Sequence, residues 1–129
     1  MAAPTITDKS ANRSVKAATA NFVFSLTVAG TYSSTVIVPN GAEIVSISTK
    51  TNVALTNGTS FLVAVGGTTV TAAIVLTSTN AIAEFTSQAA LLPHTLGTTA
   101  INAGGGTISI ITTGTYNAGD IDVTVVYVV

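Results

Sequence analysis

The sequence predicts an all-β fold, an antiparallel β-sandwich. Three observations carry that reading. Apolar residues recur at every second position over several stretches, the period of a half-buried strand. Thr accounts for 24 of the 129 residues and aromatic residues for 5%, and a chain dense in β-branched side chains favours the pleated surface of a sheet over a helix. Gly, Pro and Asn interrupt the pattern about every 8 to 12 residues, the turn spacing of a sandwich.

In chain order, ANFVFSLTVA places Phe22, Phe24, Leu26 and Val28 on one side and Val23, Ser25, Thr27 and Ala29 on the other. GTYSS turns the chain into TVIVP, PNG at 39–41 turns it again, and in EIVSISTK Val45, Ile47 and Thr49 alternate with Ile44, Ser46 and Ser48. Asn57-Gly58 suits a turn with positive φ. Gly66-Gly67 joins FLVAV to TVTAAIVL as the best-marked hairpin. In residues 80–92 a short helix competes with a bulged edge and loop: Ile82, Phe85, Ala89 and Leu92 fall at helical spacing behind Asn80, and Pro93 ends the segment. Beyond the loop LGTTAINAGGG, TISIITT reads as a strand and GTYNAGD as a turn. In the final strand IDVTVVYVV, Ile121, Val123, Val125, Tyr127 and Val129 share one face, and Asp122, Thr124, Val126 and Val128 share the other. Phe22, Phe24, Leu26, Val45, Ile47, Val123 and Val125 are the expected core. Two sheets of seven or eight strands follow, jelly-roll-like, although connectivity does not follow from pattern alone.

Residues 1–19 read as an extended N-terminal arm and residues 20–129 as the sandwich domain. Asp8, Lys9, Arg13 and Lys16 give the first segment a balance of +2, whereas Glu43, Lys50, Glu84, Asp120 and Asp122 leave the rest at −3. Only 7% of residues are charged, against roughly 25% in an average domain, so hydroxyls stand in for charge. A nucleic-acid surface would need a basic stripe with stacking aromatics on the body, and that pattern is missing. There is no Cys, which excludes disulfides and thiolate metal sites. MAAPTITDKS lacks the apolar core of a secretory signal, and no apolar run approaches the roughly 20 residues of a membrane span. The expected product is cytoplasmically made, soluble and without membrane contact.

Chemistry is sparse. His94 is the lone histidine and sits in a loop after Pro93, with no nucleophile and base pairing around it. Asp120 and Asp122 point the same way on an extended backbone, yet two carboxylates fall short of the six to eight oxygens calcium takes. The glycines at 104–106 precede a strand, not a helix, and read as a turn. Neither an enzyme nor a cofactor or metal is expected.

VPNGAEIVSIS, a strand, a Pro-x-Gly-Ala turn and a second strand, together with the terminal NAGDIDVTVVYVV, resembles the small β-sandwich virion proteins of tailed bacteriophages over roughly residues 20–129. Within that group the chain is similar to the capsid decoration or cement proteins. The resemblance implies a homo-oligomer, most often a trimer, that is made in the host cytoplasm. It would sit on the capsid exterior and clamp neighbouring major capsid protein subunits against the pressure of packaged DNA. It carries no catalytic residue. Ile6 as apolar anchor and Lys9, Arg13 and Lys16 as partners for shell carboxylates are the expected arm contacts. Val126 and Val128 are the expected subunit contacts. Two alternatives stand beside these: Ile6 and Val15 pack on the chain's own body as an edge strand, and both faces of the last strand are covered within the chain. A head-fibre, tail or baseplate subunit would share composition and fold. A carbohydrate-binding or adhesin module is the alternative from another class, although Trp is absent and Tyr32, Tyr116 and Tyr127 are dispersed.

Overall fold

The computed structural model describes residues 3–4, 15–39, 42–85 and 106–128. They form eight strands: β1 (Val15–Thr27), β2 (Gly30–Val38), β3 (Glu43–Thr56), β4 (Ser60–Val65), β5 (Thr68–Thr69), β6 (Ile82–Phe85), β7 (Gly106–Thr113) and β8 (Tyr116–Val128). Two four-stranded sheets result, ordered β1-β8-β3-β6 and β2-β7-β4-β5, and every pairing is antiparallel. β1 pairs β8, β2 pairs β7, β3 pairs β6 and β4 pairs β5. The chain is thus one long hairpin closed at Gly66-Gly67 and rolled up until β8 meets β3 and β7 meets β4. That is the jelly roll. Both turn glycines have positive φ, 60° and 82°, as a two-residue hairpin of this hand requires.

The core lies between the sheets. Ile47, Ile121, Val123 and Val125 from one sheet meet Phe61, Val63, Ile108 and Ile110 from the other, all at 0% exposure. Phe24 stacks on Tyr116 with ring centroids 5.1 Å apart. The Asn57-Gly58 turn divides its labour: Asn57 takes the positive φ of 68°, while Gly58 lies so close to the Tyr116 ring that a Cβ would overlap it.

Buried hydroxyls explain part of the Thr content. Thr49, Thr51, Thr71, Ser109 and Thr112 are buried, and a buried hydroxyl is stable only when hydrogen-bonded. The Thr51 hydroxyl donates to the Ser78 carbonyl and accepts from the Ala81 amide. Thr71 accepts from the Val63 amide at 3.0 Å. Thr112 accepts from the Gly30 amide at 3.2 Å, tying β2 to β7.

The structure corrects two core assignments. On β3, Ile44 pairs Tyr127 but Ser46 already pairs Val126, so Val45 is the extra residue of a bulge. The bulge reverses the inward phase: Ile44 and Ile47 are buried and Val45 is 45% exposed. Leu26 has φ 52°, which turns it out of the strand's alternation to 73% exposure. Val28, placed on the same side by sequence, is also exposed. Phe22, Phe24, Val123 and Val125 are buried as expected. Of the segment in which a helix competed, Ile82–Phe85 is strand β6, Asn80 sits in a turn with φ 60°, and residues 86–92 lie outside the described residues.

Candidate interaction surfaces

The outward face of the β1-β8-β3-β6 sheet is ordered in rows by strand register. Val15, Val128 and Glu43 form the first row, Ala17, Val126 and Ser46 the second, and Thr19, Thr124 and Ser48 the third. Asn21, Asp122 and Lys50 form the fourth. Glu43 on β3 apart, the face grades from aliphatic at one end to polar at the other. Val126 and Val128 are half-buried and Val15 and Val45 exposed, so the aliphatic end is an apolar patch open at its rim.

At the polar end the Asn21 amide donates to Asp120 Oδ1 at 2.6 Å and to Asp122 Oδ1 at 2.8 Å, and Asn52 donates to Asp120 Oδ1 at 3.1 Å. The Asn21 amide first, then that of Asn52, and also the Lys50 charge hold the Asp122 carboxyl below its ordinary range, against a small opposing effect of desolvation. The Asn52 bond that satisfies hydrogen-bond geometry goes to Asp120, so Asn21 is the amide whose bond to Asp122 is well formed. With Asn21 bridging the pair, the carboxylates are tied into a strand-to-strand ladder. Among the described residues no three acidic or histidine side chains gather around one point.

Of the contact residues expected from sequence, Ile6, Lys9 and Arg13 lie outside the described residues, as does His94. Lys16 is exposed in β1, opposite Tyr127. β1 begins at Val15, so the described strand takes in residues 15–19, which the sequence reading assigned to the arm. Val126 and Val128 lie on the outward face. Sequence reasoning missed their neighbours Val15 and Val45, the first because it was read as arm and the second because a bulge leaves no signature in apolar periodicity.

The edges of the two sheets differ in kind. β5 has two residues and β6 four, and the register of β2 breaks between Ser33 and Ile37. β1 has 13 residues and holds one constant register against β8 from Val15 to Ser25.

No protein-family model matches the chain, and a search of curated proteins finds no match. Among solved structures, a chain of the cyanophage Pam1 capsid asymmetric unit aligns with a TM-score of 0.63 at 20% sequence identity, covering 100% of this chain and 92% of that one. The likeness spans the whole of this chain and most of that one, and it shows that the two share a fold.

Proposed function

We propose that the chain is a structural subunit of a tailed-phage virion, a decoration protein that sits on the outer head surface and reinforces the shell. The observation that carries this reading is the structural likeness, over the whole of this chain, to a chain of a cyanophage capsid asymmetric unit. The sparse charge supports it, because a surface of hydroxyls and aliphatics suits coverage by other subunits better than free exposure. The partner is the major capsid protein, and the unit on the shell is a homo-oligomer, with the trimer expected from the family resemblance.

In this reading the aliphatic end of the outward face, Val126 and Val128 with Val15 and Val45, makes the subunit contact. Val126→Asp is expected to leave the fold intact within about 1 kcal/mol, as an outward substitution should, and to lower the mass of the oligomer in light scattering. An unchanged oligomer would remove this face from the contact. Such contacts are only weakly salt-dependent, since apolar burial is not screened.

The arm is the second contact, with Ile6 as apolar anchor and Lys9, Arg13 and Lys16 facing shell carboxylates. Deleting residues 2–14 leaves the described β1, Val15–Thr27, in place and tests docking apart from folding. The truncated chain is expected to melt like the parent but to be captured far less well by undecorated heads. Replacing only the basic residues should weaken capture modestly and chiefly at low salt, each exposed pair contributing at most about 1 kcal/mol. Full capture without the arm would refute its docking role, and loss of folding would show that it packs on its own body.

A further inference from the structure

We infer that β1 is a self-association edge: a second copy of this chain adds its own β1 antiparallel to the first, joining two four-stranded sheets into one of eight. An edge strand presents a row of unpaired N–H and C=O groups, and folded proteins blunt such edges with short strands, bulges, Pro or inward charges. Among the described residues β5 is blunted by shortness, with two residues, the described part of β6 has four, and β2 is blunted by its broken register. Among the described residues β1 carries none of these devices. Before the positive φ of Leu26 interrupts it, it runs from Val15 to Ser25 with no Pro, keeps its register without a bulge, and has a single charge, Lys16, near one end.

The same features select the occupant. A strand that satisfies this edge must be comparably long and straight, and among the described edges only β1 itself is. Antiparallel pairing about a two-fold axis near Ala20 sets Ala18 opposite Phe22 of the second copy and Ala17 opposite Val23, small against large on both faces. It places the two Lys16 side chains at opposite ends, about 26 Å apart at roughly 3.3 Å per residue and well beyond the screening length of about 8 Å at physiological salt. Nothing in β1 opposes its own copy. This contact is distinct from the outward-face contact and does not rest on the virion reading; where both form, β1 pairing joins the outward-face oligomers side by side.

The chain has no cysteine, so single cysteines report the contact cleanly. Thr19→Cys, Ala20→Cys and Asn21→Cys bracket the two-fold axis, and Ser25→Cys and Thr27→Cys, outside the aliphatic patch, lie far from it. Under mild oxidation at least one of the central three is expected to give a disulfide-linked dimer several-fold more readily than either distant position. Thr19→Lys, at an exposed position, should fold normally, lower the cross-linking of Asn21→Cys at least tenfold, and recover part of it in high salt. Uniformly weak cross-linking would overturn the proposal. Hydrogen exchange that protects the outward β1 amides in a chain that does not cross-link would equally overturn it, assigning the edge to the chain's own N-terminal residues or to a different protein. Head capture is a separate readout, so failure here leaves the decoration reading untouched and failure there leaves the edge pairing untouched.

Discussion

Val125→Asp is expected to abolish folding. Val125 is 0% exposed, lies in β8 between β1 and β3, and is packed in the core with Ile47, Val123 and Ile121. An aspartate there would bury a carboxylate among aliphatics with no donor. The cost is several kcal/mol even if the group protonates, comparable with the roughly 5–15 kcal/mol that holds a domain together. Circular dichroism of the purified variant checks it, and a soluble chain with an unchanged melting temperature would contradict the core assignment. The adjacent Val126→Asp is the internal control. It carries the same chemical change one residue along, on the outward face, and is expected to fold. The contrast isolates burial from β-propensity, because both substitutions replace Val with Asp in the same strand.

Gly106→Ala is expected to be the most damaging single-methyl change. Gly106 opens β7 with φ 143°, a conformation essentially reserved for glycine, and a Cβ there would overlap the Gly66 backbone. A backbone neighbour in the hairpin that closes the roll has nowhere to go, so strain and overlap add. About 1–3 kcal/mol from each gives an expected loss of several kcal/mol in chemical denaturation. Gly67→Ala is the matched comparison. It has φ 82° but open space around the added methyl, so only the left-handed backbone cost of about 1–2 kcal/mol remains. Equal losses at the two sites would show that close approach to Gly66 contributes nothing.

How far the sequence could be read depended on whether a feature leaves a local trace. In β8 strict alternation separates Ile121, Val123, Val125 and Tyr127 from Asp122, Thr124, Val126 and Val128, and the structure preserves that separation because the strand has neighbours on both sides and no bulge of its own. The Gly66-Gly67 hairpin was equally legible, since its backbone demands residues without a Cβ. At Val45 and Leu26 the same period-2 rule misled, for two different physical reasons. A bulge inserts a residue whose effect on phase depends on the partner strand, and a positive φ at a leucine has no compositional signal.

The candidate surfaces divide along the same line. That Val126 and Val128 share a face was visible in the strand itself. That Val15 and Val45 complete an apolar patch with them was not, because those residues come from strands separated by long stretches of chain. The Asn21, Asp120 and Asp122 ladder is likewise a product of register: Asn21 and Asp122 pair across 101 residues of sequence.

The sequence by itself determined the all-β class, the alternation of the last strand and the hairpin at which the roll closes. Each is set by local sterics, by the two-residue period of a pleated strand or by the φ range open to glycine. Only the tertiary structure decided which strands are neighbours, and hence the jelly-roll order, the aliphatic end of the outward face and the place of the long β1 at the end of its sheet. Those properties belong to pairings between distant segments, and pairing energy depends on the two strands together.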